Sequence, residues 1–130
     1  MAKTDNITEA GHRQSYGVNP NIRAVNSLDE QGNPTGGSVN LRVGLTRNPI
    51  RIQWQNGPRA KKGNKLAEPN GAFVEDVIWA ALQRLEFFND GQYRDRRNSI
   101  AITKLEEALW ALQDRTNDRA HRGVEGKHKV

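Results

Sequence analysis

SIAITKLEEALWALQDRTNDRAH, residues 99–121, places Ile102, Leu105, Leu109 and Leu112 at helical spacing. The stripe predicts an amphipathic helix from about Ser99 to about His121. Asn98 or Ser99 is its expected N-cap, since either side chain accepts from first-turn amides that have no partner inside the helix. Gly123 and Gly126 are expected to end it. Arg119 continues the stripe with Arg115 and Arg122 beside it, so one surface passes from core to cation. Arg115 and Arg119 are like charges one turn apart and repel mildly unless an anion lies between them. Two readings stay open here. The cations complement the helix macrodipole, worth about 0.3–1 kcal/mol, with Asp118 pairing Arg115 or Arg122, or they form an anion site.

Working outward, residues 71–88 read as a second helix with Asn70 as N-cap and Glu75 and Asp76 in the early turns. Val74, Ile78, Ala81, Leu85 and Phe88 form its stripe, widened by Val77 and Leu82. The two stripes match, which predicts an antiparallel hairpin joined by Asn89–Arg97, NDGQYRDRR. Before it, residues 56–68 (NGPRAKKGNKLAE) read as a basic loop bearing Arg59, Lys61, Lys62 and Lys65. The amides of Gly57 and Gly63 would suit phosphate, but no Walker or Rossmann spacing is present, and a solvated linker explains the same residues.

Strand signals precede the loop. Ile50, Ile52 and Trp54 alternate with Arg51 and Gln53, and Val39, Leu41, Val43 and Leu45 alternate with Asn40, Arg42 and Gly44. Ile22, Ala24 and Leu28 alternate imperfectly. Residues 29–37 (DEQGNPTGG) are turn chemistry, and Arg47-Asn48-Pro49 is the expected turn into the last strand. A three-stranded meander follows, with Arg42 and Arg51 as outward solubilising residues or as part of a ligand groove. Residues 1–20 lack apolar periodicity and read as a flexible or draped arm. Strands then helices mean α+β: an N-terminal antiparallel β-meander followed by a C-terminal antiparallel α-helical hairpin. The expected organisation is an arm over 1–20 and one α+β domain over 21–130, with strands at about 22–55, the basic loop at 56–68, the hairpin at 70–122 and a short tail.

Composition narrows the chemistry. A chain of 130 residues that is 35% hydrophobic has a thin core, and oligomerisation would help it. Absence of cysteine excludes disulfides, thiolate zinc sites and a cysteine nucleophile. Twenty Lys and Arg against 15 Asp and Glu give a net charge of +5, which favours an anionic partner. No apolar run approaches the roughly 20 residues that span a bilayer, and the start MAKTDNITEAGHR lacks a signal-peptide core, so a cytosolic protein without a membrane partner is expected.

His121, Glu125 and His128 would align on a helix, but Gly123 and Gly126 argue against a rigid metal site there; His12 stands alone. Glu106 and Glu107 are adjacent and face different ways, which makes them poor acid–base partners. Neither a nucleophile elbow nor a P-loop nor a zincin spacing is present. The expectation is therefore binding without turnover, with no cofactor and no metal.

For binding, Phe88 offers an aromatic face, Asn98 an amide and the last-helix arginines forks for phosphate. In one hairpin Phe88 lies nearer Asn98 than Arg119. Two hairpins paired antiparallel would bring the arginines of one copy to the Phe88 and Asn98 end of the other. A plain core role for Phe88 is the competing reading.

The run FFND at 87–90, the Asn98-Ser99-Ile100 helix start, KLEEALWALQDRTNDR at 104–119 and HRGVEGKHK at 121–129 resemble the helical-hairpin family of phage proteins that sequester immune signalling nucleotides. With the preceding strands, most of the chain after Pro20 is similar to the Thoeris anti-defence proteins of the first type; anti-CBASS relatives share chiefly the hairpin. The resemblance implies an α+β fold, a homodimer or hexamer, and tight binding of cyclic ADP-ribose isomers without cleavage, in the cytoplasm of the infected bacterial host. It implies that Phe88 stacks on adenine, Asn98 hydrogen-bonds beside it, and Arg115 and Arg119 hold the ligand, with Arg59 a weaker candidate. Some members also hold cyclic di- or trinucleotides at a separate site, which no motif places here; Arg23 and Ser27 are its nominal candidates. The alternatives are a small basic nucleic-acid-binding protein, against which 15 acidic residues interrupt the basic ones and leave no long basic stripe, and a phosphodiesterase, which needs a metal or acid–base pair that the sequence does not offer.

Overall fold

The computed structural model describes residues 4–8, 17–57, 59, 61–62, 65–66 and 68–122. The expected helix-ending Gly123 and Gly126, with His12, Glu125 and His128 of the metal question, lie outside them. The fold is α+β, and the chain divides into two compact units with the boundary between Ala72 and Phe73.

The first unit is a four-stranded antiparallel sheet in the order β1 (Thr4–Thr8), β2 (Ile22–Leu28), β3 (Pro34–Val43), β4 (Arg47–Gln53). The three-stranded meander is there as β2–β3–β4. Within residues 1–20, read as a flexible or draped arm, β1 pairs with β2 from Thr4 opposite Leu28 to Thr8 opposite Ala24. A polar pentapeptide without apolar alternation becomes a strand because the backbone edge of β2 supplies its partners, so its ladder needs no apolar face. Across the meander the register sets Ile22, Leu41 and Ile50 in one row and Ala24, Val39 and Ile52 in the next, so alternation in three strands delivers one apolar face.

The β3–β4 turn sits earlier than expected. It occupies residues 44–46, with Gly44 at φ 66°, and Arg47, Asn48 and Pro49 belong to β4. Leu45, expected to face inward, is therefore at the turn and 86% exposed. The register shifts between Leu41 and Val43, which ends the alternation before Leu45 is reached. Pro49 is tolerated because β4 is an edge strand. In the β2–β3 turn, Asp29 Oδ1 accepts from the amides of Gln31 and Asn33, both at 2.9 Å. Past it, Gly37 has a φ of 131°, and a Cβ there would overlap the carbonyl oxygen of Val25.

The basic loop is closed at its base and partly structured. Asn70 Oδ1 accepts from Asn56 N at 2.7 Å, Asn70 N donates to Gln55 Oε1 at 2.8 Å, and Ala72 exchanges backbone bonds with Gln53 and Gln55 around a bridge to Trp54. Inside it, β5 (Lys61–Lys62) pairs antiparallel with β6 (Lys65–Leu66). This use of Asn70 explains why it does not cap the following helix.

The second unit is the hairpin, α1 (Val74–Asn89) packed with α2 (Arg96–His121). Both helices start elsewhere than expected. At α1 the Asp76 carboxylate accepts from Phe73 N at 2.8 Å, satisfying an amide the helix cannot. At α2 the N-cap is Asp95, whose Oδ1 accepts from Arg97 N at 2.7 Å, so Asn98 and Ser99 fall inside the first turn. Leu82, expected to be peripheral, is the central packing residue of α1 at 7% exposure, while Val74, Ala81 and Phe88 lie at the exposed edge. On α2, Ile102, Leu105, Leu109 and Leu112 are half-buried as the stripe requires. Trp79 and Trp110 are 61% and 63% exposed.

Candidate functional site

The hairpin bend is built around Asn89. Its Nδ2 donates to Ser99 Oγ and its Oδ1 accepts from Asp95 N, both at 3.0 Å, so one amide at the end of α1 fixes the start of α2. Asp95 also takes a forked bond from the Arg97 guanidinium, Nε to Oδ1 at 3.0 Å and Nη2 to Oδ2 at 2.9 Å. The Arg97 side chain and amide hold the Asp95 carboxyl down at about 2, below the ordinary 3.8.

Phe88 and Asn98 meet on this frame through Tyr93. Asn98 Nδ2 donates to the Tyr93 carbonyl at 3.3 Å, and the Tyr93 ring lies edge-on to Phe88 with centroids 6.5 Å apart. Phe87 is a second edge-on neighbour of Phe88 at 5.9 Å. The Arg84 guanidinium carbon lies 4.9 Å from the Phe88 centroid and 5.0 Å from that of Phe87. Phe88 is 39% exposed, so it is not a core side chain within this chain. Asn98 is half-buried, with its amide nitrogen turned toward the bend.

Arg115 and Arg119 stand elsewhere. At ordinary helical rise they lie about 26 Å and about 32 Å along α2 from Asn98. Arg115 is exposed and Arg119 half-buried. Asp118 pairs with Arg122 at 3.0 Å, which settles its partner in favour of Arg122 over Arg115. Arg59, half-buried, belongs to the sheet unit. The structure therefore brings Phe88 and Asn98 together in one hairpin and leaves the arginines at its other end.

On the sheet, Arg23, Asn40 and Arg51 form one cross-strand row, with the outer two about 10 Å apart at ordinary strand spacing. Ser27 is only 5% exposed, which removes its hydroxyl from a surface site. Arg42 is drawn to its own turn, Nη2 donating to the Leu45 carbonyl at 2.5 Å. Among the described residues no cluster of three or more His, Asp or Glu could hold a metal ion, and no helix is long and apolar enough to cross a membrane.

Arg84 and Tyr93 were missed by periodicity. The available signal was local: Arg84 has Phe87 and Phe88 as its i+3 and i+4 neighbours.

Sheet, hairpin and bend define an α+β protein whose C-terminal unit is a helical hairpin with an aromatic and amide patch at the bend and arginines at the far end. The family model described as Acb2/Tad1, hairpin domain, matches residues 46–116, more than half of the chain. The chain belongs to that family. It is also similar to a protein named Thoeris anti-defense 1 from Bacillus phage SBSphiJ7, with 42% identity over 78 residues, 60% of this chain and 51% of the relative. The match thus spans about half the relative's length. Arg59, Phe88, Asn98 and Arg115 fall within the family match, and Arg119 lies just beyond it.

Proposed function

We propose that this chain is a phage anti-defence protein that binds a cyclic ADP-ribose-type signalling nucleotide and withholds it from its effector without cleaving it, in the cytoplasm of the infected bacterium. The observation that carries the reading is the bend, where the partly exposed Phe88 ring and the Asn98 amide both adjoin Tyr93. Asn98 Nδ2 donates to the Tyr93 carbonyl, so the group the amide has left to offer a ligand is its Oδ1 acceptor. An acceptor beside an aromatic face suits the exocyclic amine of adenine better than a carbonyl edge. The diphosphate needs cations, and Arg115 and Arg119 stand too far along α2 to serve the same ligand from the same hairpin. Two copies paired antiparallel would supply both ends, giving two equivalent sites per dimer. Exposed Trp79, Phe87 and Trp110 and a core with one buried apolar side chain among the described residues support such pairing.

Sequestration acts by mass action, so it requires sites in excess of signal and a dissociation constant below the effector's threshold. Sub-micromolar binding, about −8 kcal/mol or better, is the expectation. Family membership and the phage anti-defence relative support the anti-defence reading. The Arg23–Asn40–Arg51 row is the feature that favours a second, cyclic di- or trinucleotide site, or the nucleic-acid alternative. The test is to load the protein with a cyclic ADP-ribose isomer, heat it, and identify the released molecule by mass spectrometry. Intact ligand in full yield is expected. A linearised or hydrolysed product would mean that the protein consumes its ligand.

A further inference from the structure

We propose that Arg84 is a ligand-contacting residue of the bend site, its guanidinium engaging a phosphate of the nucleotide whose base stacks on Phe88. The proposal rests on the reading of Phe88 as the stacking surface. Arg84 stands one turn before Phe88 on α1, and its i−4, i−3, i+3 and i+4 neighbours are Ala80, Ala81, Phe87 and Phe88. No carboxylate is within helical reach, and among the described residues no acid pairs with Arg84. Its cation is held by two rings instead, 4.9 Å from one centroid and 5.0 Å from the other.

The consequence is electrostatic. Aromatic faces orient a guanidinium without neutralising it, so its charge and in-plane donors stay available to an anion. Those donors are the planar fork that matches phosphate oxygens. The rings also spare part of the rotamer entropy that an exposed arginine loses on binding. A base on the open part of Phe88 carries its phosphates on a short tether, which places an anion beside the ring that Arg84 already covers. Arg84 thus gives the bend a cation of its own, distinct from Arg115 and Arg119.

Titration calorimetry with a cyclic ADP-ribose isomer at low and high salt tests this on wild type, Arg84→Gln and Arg84→Lys. Arg84→Gln should bind about tenfold more weakly or worse, and with a shallower salt dependence, because a charge-assisted contact has gone. Arg84→Lys should keep the salt dependence and lose part of the affinity, since an ammonium cannot lie flat on the rings. Unchanged or tighter binding by Arg84→Gln, or weaker binding with the wild-type salt dependence, overturns the proposal; tighter binding would make Arg84 a competitor of the base. A wild-type chain that does not bind sinks the Phe88 reading and the proposal together, whereas wild-type binding with an indifferent Arg84→Gln sinks the proposal alone. Circular dichroism of both variants should match wild type, because Arg84 is exposed and both replacements suit a helix.

Discussion

Asn89 and Ser99 are joined side chain to side chain across the hairpin bend, Nδ2 to Oγ at 3.0 Å, while the other end of the same amide takes Asp95 N. The aromatic patch and Asn98 are thereby set on one frame. Asn89→Ala removes both bonds and should cost about 1–2 kcal/mol. Ser99→Ala removes one and should cost less. Urea unfolding of the two variants checks the order, and equal midpoints for Asn89→Ala and wild type would show that the bend is held by packing alone.

Asp95 gives the hairpin an acid-sensitive end. Its folded carboxyl titrates at about 2 against an ordinary 3.8, so its contribution is complete above about pH 4 and is lost as pH falls toward 2. Asp95→Asn keeps a capping oxygen that does not titrate. The wild-type advantage over Asp95→Asn in thermal midpoint should shrink from pH 5 to pH 2.5, and should be smaller in high salt because the Arg97 pair is exposed. A difference constant with pH would contradict the assignment.

Gly37 is a sheet position whose backbone leaves no room for a side chain. A side chain there meets the Val25 carbonyl on the neighbouring strand and a φ that L-residues rarely adopt. Gly37→Ala should destabilise by at least about 2 kcal/mol, with β2–β3 amides losing hydrogen-exchange protection first. Gly32→Ala, also at positive φ but with open space around it, should cost less.

Arg115→Ala and Arg119→Ala should each weaken binding of a cyclic ADP-ribose isomer by about 1.5–3 kcal/mol with little change in thermal midpoint. Unchanged affinity in both would return these residues to a helix-dipole role.

Much of the scaffold is legible because its signals are periodic and its faces are buried. Leu105, Leu109 and Leu112 announce α2, and the rows Ile22–Leu41–Ile50 and Ala24–Val39–Ile52 follow from alternation. Boundaries are harder, since one polar residue can serve several ends. Asn70 has the chemistry of an N-cap but closes the basic loop, and Asn98 and Ser99 yield the cap to Asp95. β1 has no apolar pattern to detect, because its partner is the β2 backbone. At the site, the residue types of Phe88 and Asn98 were readable, and their link through Tyr93 was not, since it depends on the shape of the bend. Arg84 escaped because it lies outside the apolar stripe.

Mixing two defective proteins tests the composite site most directly. Phe88→Ala should bind a cyclic ADP-ribose isomer poorly, and so should the double variant Arg115→Ala with Arg119→Ala; the thermal midpoint of Phe88→Ala is measured beside its affinity to separate lost stacking from a cavity. If each site takes Phe88 from one copy and the arginines from another, equal amounts of the two variants, after subunit exchange, should regain about a quarter of the wild-type sites at near wild-type affinity. Exchange confirmed by native mass spectrometry with no recovered tight binding would contradict a site shared between copies.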